Sequence, residues 1–297
     1  MKIARYHYKQ KEHYGILSQD RLLNLPDYAR RSKKRLPSEL EDFIMLGDRT
    51  VEIAENLQSD AEGNFADGFY VKKGGVSLLP PISKPPKVIC LGLNYLDHAE
   101  ETGKSVPKEP IIFMKPRTAI VGPKAKIVKP DFVRKLDYEG ELAIIIGKKA
   151  RNIPISEAKK HVFGYTVFND VSAREIQFGD GQWTRGKSFD SFAPIGPWIV
   201  TRNQLPNTED LSICTWVNGE LRQDSSTRNM VFKVDEIVHQ LSRVMTLEPC
   251  DVIATGTPAG VGFAMNPPQF LEHGDVIRIE IEGIGVLENE VREEKQD

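Results

Sequence analysis

Cysteine is scarce: Cys90, Cys214 and Cys250 are the only three in 297 residues. They are far apart and never form a Cys-x-x-Cys pair, so the sequence offers neither a disulfide framework nor the ligand spacing of a zinc site. They are expected to be buried, reduced core residues. An excess of positive charge is also missing. Lys plus Arg number 40 against 42 Asp plus Glu, a net charge of −2, which leaves no basic footprint of the kind nucleic-acid binding requires. No apolar run approaches the ~18 residues of a membrane span, and Met1-Lys2-Ile3-Ala4-Arg5-Tyr6 lacks the apolar core of a signal peptide. A soluble, cytoplasmic protein without nucleic-acid or membrane partners is therefore expected. Two common nucleotide loops fail as well. Gly186-Lys187-Ser188 lacks the earlier glycine of a phosphate loop, and Pro267-Pro268 leaves no room for the helix that a dinucleotide fingerprint places after its glycines.

The composition is that of an ordinary globular protein, 40% hydrophobic and 28% charged, with length enough for about two domains. Residues 1–80 read as a small α/β leading unit. Strands are expected over 3–8 and 13–17, and apolar residues recur at helical spacing over 39–57. The basic run 30–35 has no interleaved aromatics and reads as a solvated face. Prolines at 80, 81, 85 and 86 interrupt any regular element and set the boundary. Strands dominate from there on, so 86–297 is expected to be a β-rich α+β domain.

The chemistry concentrates in Asp137-Tyr138-Glu139-Gly140-Glu141-Leu142-Ala143-Ile144-Ile145-Ile146-Gly147. Side chains alternate along a strand, so Glu139 and Glu141 share a face roughly 7 Å apart. If that strand is buried, neither stays ionised cheaply without a compensating cation or donors. A strand end emerging into water is the plainer alternative. Asp170 adds a third carboxylate at the end of a strand over 162–168, where it could equally cap a helix over 171–178. Three carboxylates with no nearby His or Cys suit a hard ion such as Mg²⁺ or Mn²⁺. Farther back, Asn94 reads as the N-cap of a short helix that sets His98 and Glu101 three residues apart, a general-base dyad in form. The polar residues 102–110 could act as a mobile cover. Thr255-Gly256-Thr257-Pro258-Ala259-Gly260-Val261-Gly262 would let backbone amides approach a ligand.

Five blocks, in order, resemble the fumarylacetoacetate hydrolase family: Gly92-Leu93-Asn94-Tyr95-Leu96-Asp97-His98, Asp137 to Leu142, Asn169-Asp170-Val171-Ser172-Ala173-Arg174, Gly186-Lys187-Ser188-Phe189-Asp190 and Thr255 to Gly262. The resemblance implies a roll of mixed β-sheets, assembled as a homodimer, with Glu139, Glu141 and Asp170 as ligands of Mg²⁺ or Mn²⁺. It makes His98 and Glu101 the water-activating pair and sets Lys187 facing the substrate. Thr257, Arg174 and Gln177, with Asn94 and Tyr95, become the candidate substrate contacts. The activity implied is hydrolysis of a carbon–carbon bond in a 2,4-dioxo acid through an enolate. Oxaloacetate decarboxylation or tautomerisation on the same site is the alternative, and a non-catalytic metal-dependent binding protein a third reading. Residues 1–80 match only a variable leading segment, so nothing functional carries over to them.

Overall fold

The computed structural model describes residues 1–63, 66–179 and 181–294. Its framework is one large mixed sheet in which ten strands follow in the order Tyr70–Lys72, Arg21–Asn24, Lys11–Ser18, Lys2–Tyr8, Ala193–Thr201, Val162–Asn169, Gly140–Ile146, Val252–Ala254, Val88–Gly92 and Ile111–Lys115. Most neighbours are antiparallel, but Val252–Ala254 runs parallel to Val88–Gly92. A second sheet of five strands contains Ser212–Val217, Glu220–Ser226, Val276–Ile281, Gly285–Glu293 and Lys126–Lys129. The protein thus mixes helices with strands, is rich in strands and is built on mixed sheets.

The unbroken apolar run of Gly140–Ile146 has a simple cause: this strand is covered on both sides. Leu142, Ile144 and Ile146 pack in one apolar cluster, with Ile213, Ile279 and the helix residues Ile237 and Leu241. Ala143 and Ile145 pack in the other, with Phe43, Phe163 and Ile199. A strand buried on both faces needs apolar residues at every position rather than at alternate ones. Gly140 is where the second sheet comes closest. A Cβ there would lie 2.4 Å from Thr215 Oγ1 and 3.1 Å from Gln223 Oε1, so only glycine fits.

The leading residues are built into the main sheet. Lys2–Tyr8 pairs with Ala193–Thr201 in the register Lys2↔Val200 and Ile3↔Ile199, and the amino group of Met1 donates to Thr201 Oγ1 at 2.7 Å. The helical stretch expected over 39–57 is two helices, Leu40–Met45 and Asp48–Gly63, broken at Gly47. Phe43 of the first meets Phe163 of the central sheet edge to face, with centroids 6.3 Å apart. Cys90 and Cys250 are buried and Cys214 is half-buried, all three free.

Candidate active site

Three carboxylates meet where two central strands end. Glu139 immediately precedes the strand Gly140–Ile146, Glu141 is its second residue, and Asp170 follows Val162–Asn169. The register Gly140↔Asn169 brings those ends together. One oxygen of each lies within 4.8 Å of the others, and all three residues are buried. Asp170 does not cap a helix. The next helix starts only at Arg174, and the Asp170 oxygens are taken by Lys187 Nζ at 2.7 Å and by Lys115 Nζ.

Lys115 escaped the sequence reading. It closes the apolar strand Ile111–Lys115, is buried, and also donates to the Val171 carbonyl at 3.0 Å. A lysine ending an apolar strand, at the same level as the carboxylates, was the available signal. Lys187 bridges Asp170 to Glu139, reaching Glu139 Oε2 at 3.0 Å, while Arg174 donates to Glu139 Oε1 at 2.6 Å, to Gln177 Oε1 at 2.9 Å and to Asp137 Oδ2 at 2.8 Å. Asp137, the second residue without an assigned role, also accepts the amides of Gly262 at 2.8 Å and Phe263 at 3.0 Å. It thereby ties the glycine loop to Arg174.

Four buried carboxylates, Asp137, Glu139, Glu141 and Asp170, thus face three buried cations, Lys115, Arg174 and Lys187. The negative charge is unevenly compensated. Burial opposes ionisation of Glu139, but Lys187 and Arg174 outweigh it and hold this carboxyl down to about 2. Among the described residues no cation contacts Glu141, and burial, Asp170 and Glu139 all push its carboxyl well above the usual range. Its Oε2 accepts the Gly256 amide at 2.8 Å, whereas Oε1 is buried without a partner. Such an orphaned oxygen costs on the order of 1–3 kcal/mol. A divalent ion among Glu139, Glu141 and Asp170 would supply what this oxygen lacks, and an all-oxygen donor set fits a hard ion such as Mg²⁺ or Mn²⁺.

Beside the triad, the helix Leu96–Glu101 carries His98, whose Nδ1 lies 3.2 Å from Glu101 Oε2. A carboxylate only accepts, so Nδ1 is the donor, and in the neutral imidazole this contact leaves the lone pair on Nε2. The other Glu101 oxygen accepts the Gly260 amide at 2.8 Å, which fixes the dyad to the glycine loop. His98 lines a cavity of about 30 Å³ together with Glu139, Arg174, Gln177, Lys187 and Thr257, and Phe113, Phe178, Trp183 and Phe263 form its aromatic wall. Two residues singled out in the sequence lie elsewhere. Asn94 is not the N-cap, a position held by Tyr95. It is a buried strut whose amide donates to Thr255 O at 2.7 Å and Phe232 O at 3.1 Å. Neither Asn94 nor Tyr95 lines the cavity.

A carboxylate triad sized for one cation, next to an imidazole that lines a small cavity, is the layout of an enzyme for small molecules and not of a polymer-binding surface. Comparison narrows the class: residues 87–292 match the family model described as "Fumarylacetoacetate (FAA) hydrolase C-terminal", and the chain belongs to the fumarylacetoacetate hydrolase family. It is 43% identical over 258 residues to the oxaloacetate tautomerase FAHD2B, mitochondrial, of Bos taurus, covering 86% of this chain and 80% of that one. Among solved structures it resembles a fumarylacetoacetate hydrolase of Exiguobacterium antarcticum (TM-score 0.85, 39% identity, 99% and 100% of the two chains covered). It also resembles a 5-carboxymethyl-2-hydroxymuconate delta-isomerase of Mycobacterium smegmatis (TM-score 0.77, 35% identity, 100% of both).

Proposed function

We propose that this protein interconverts the keto and enol forms of a 2-oxo acid, using His98 as the proton carrier and a divalent ion held by Glu139, Glu141 and Asp170. The observation that supports it most is the imidazole of His98, held through Nδ1 by Glu101 and lining the same cavity as Glu139, Arg174 and Lys187. When bound, the ion supplies Lewis-acid polarisation of the substrate's carboxylate and keto oxygens. Nε2 of His98 takes the proton from the carbon beside the keto group and hands it to the keto oxygen, so His98 returns to its starting state and no atom is gained or lost. Arg174, whose Nη2 is buried without a partner, offers a donor for the substrate carboxylate. Phe178, Trp183 and Phe263 keep water from the reacting carbon.

Hydrolysis of a carbon–carbon bond in a 2,4-dioxo acid, the activity first expected from the motifs, is the second reading. The likeness to the Exiguobacterium hydrolase favours it. It asks more of the site, because His98 must then deprotonate a water held against the distal carbonyl, whereas tautomerisation needs one base and no water. The 43% identity to the tautomerase named in cattle, over 86% of this chain, favours tautomerisation as the first reading. Oxaloacetate decarboxylation needs no base and leaves the dyad idle. Homodimer assembly belongs to the same proposal and rests on the family; a cytoplasmic location is proposed from the sequence reading, although the bovine relative is named mitochondrial. Light scattering that gives a monomer at micromolar concentration overturns the dimer.

The test is a rate comparison with Mg²⁺ or Mn²⁺ present. The parent should accelerate enol-to-keto conversion of oxaloacetate, and His98→Ala should lower that rate by about 100- to 10,000-fold, the usual contribution of a general base. A far higher specificity constant for an acylpyruvate promotes the hydrolase instead, and loss of carbon dioxide that survives in His98→Ala identifies a decarboxylase.

A further inference from the structure

Every buried cation of the site is already matched to a carboxylate. Lys115 contacts Asp170, Lys187 contacts Asp170 and Glu139, and Arg174 contacts Glu139 and Asp137. Lys104 also lines the cavity and differs from all three. It is exposed, and no carboxylate of the described residues lies within ion-pair reach of its ammonium. Its Nζ instead lies 5.8 Å from the ring centroids of both Phe178 and Trp183, two residues of the cavity wall. A cation held over aromatic faces keeps its charge while losing part of its hydration, which leaves it ready to pair with an anion.

The backbone fixes where that charge stands relative to the base. The helix carrying His98 ends in a left-handed turn: Gly103 has φ +64°, its amide donates to Glu100 O at 3.1 Å, and the Lys104 amide donates to Ala99 O at 2.9 Å. This pair of bonds is the Schellman closure, and the positive φ favours glycine. The turn Gly103-Lys104 is therefore attached to the helix of His98 by two hydrogen bonds, one from each amide, and Lys104 is no free loop residue. The cavity lining thus combines Glu139 and its buried cations with an exposed ammonium that has no carboxylate partner among the described residues.

We propose that Lys104 is a specificity residue that selects substrates with a second carboxylate remote from the 2-oxo acid group, so that the substrate class is the 2-oxo dicarboxylic acids. The inference rests on the 2-oxo acid reading of the site and deepens it. The first carboxylate and keto oxygen lie toward Glu139, Arg174 and Lys187, His98 reaches the carbon between, and the second carboxylate pairs with Lys104 between the two rings. A neutral group at that end leaves the ammonium unpaired.

The experiment compares oxaloacetate with its 4-methyl ester, which has the same carbon skeleton and one charge fewer, in the parent and in Lys104→Met, which keeps an unbranched stem without the charge. Enol-to-keto rates give kcat and KM, and calorimetry with Mg²⁺ present gives binding independently of turnover. A partly desolvated charged hydrogen bond corresponds to about a tenfold change in affinity or more. Lys104→Met should therefore raise KM and Kd for oxaloacetate about tenfold, leave the ester within twofold, and change kcat little. Lys104→Arg should restore the preference. If the parent binds diacid and ester equally, or Lys104→Met weakens both alike, the selector is overturned. If the parent turns over neither ligand, yet binds the diacid preferentially and loses that preference in Lys104→Met, the reaction reading fails while the selector stands.

Discussion

At the scale of single residues, Glu141 is the side chain whose surroundings make least sense without an ion. It sits among Asp170 and Glu139, has one amide donor, and its second oxygen is buried and orphaned. Glu141→Gln keeps the shape and removes one negative charge from a cluster that has too many. The ion-free variant should be as stable as the parent or more so, because a neutral amide costs less to bury than a carboxylate without a cation. Its response to Mg²⁺ or Mn²⁺ should disappear. A ligand bound only by the folded state at 100 times its dissociation constant adds about 2.7 kcal/mol, so the parent's melting temperature should rise with the ion while that of Glu141→Gln stays put. Equal shifts in both proteins would place the ion elsewhere.

At the scale of elements, the strand Gly140–Ile146 has to present carboxylates on one side and admit a second sheet on the other. Gly140 is the residue that reconciles the two. Its amide donates to Gln223 Oε1 at 3.0 Å and its carbonyl accepts Thr257 Oγ1 at 3.0 Å, while Gln223 Nε2 donates to Thr257 Oγ1 at 2.8 Å and to Pro258 O at 2.9 Å. These bonds tie the triad strand, the second sheet and the glycine loop in one network. Gly140→Ala, with its methyl at 2.4 Å from Thr215 Oγ1, must push the sheets apart. We expect a loss of about 1–3 kcal/mol, typical of overpacking, read in urea unfolding, together with weaker ion binding because Glu139 and Glu141 flank the shifted residue. Unchanged stability would mean that the second sheet yields freely.

At the scale of the whole molecule, the leading residues act as part of the scaffold for the site. Lys2–Tyr8 extends the central sheet through Ala193–Thr201, itself paired with Val162–Asn169, at whose end Asp170 stands. The helix Leu40–Met45 buries Phe43 against Phe163 of that same strand. Phe43→Ala should cost about 3–5 kcal/mol, the range for emptying a buried aromatic site, in a single unfolding transition shared by both parts of the chain. Whether 1–80 and 86–297 are separate domains is decided by the same measurement: two transitions, with Phe43→Ala moving only one, would show that they unfold independently.

The sequence by itself brought the candidate site residues forward. Glu139 and Glu141 stood out because carboxylates opening an apolar strand are costly to bury, Asp170 because it ends a strand, and His98 and Glu101 because of their helical spacing, whereas Lys187, Arg174, Gln177 and Thr257 came through the resemblance of the motif blocks. It also determined the strands, because a strand buried on both faces leaves a run such as Leu142 to Ile146 that no other element explains. Only the tertiary structure decided how the charges are matched. Lys115 lies 55 residues from Asp170 in the chain, and nothing local relates them until Val88–Gly92 and Val252–Ala254 carry the Ile111–Lys115 strand to the edge of the same sheet. The same holds for Asn94, where local propensity favoured a helix cap and distant carbonyls at 232 and 255 took its amide. It holds too for residues 1–80, whose place in the sheet depends on pairing with a strand almost 200 positions away. Spacing along the chain encodes turns and faces, but hydrogen-bond partners across a sheet follow from topology, which only the folded chain contains.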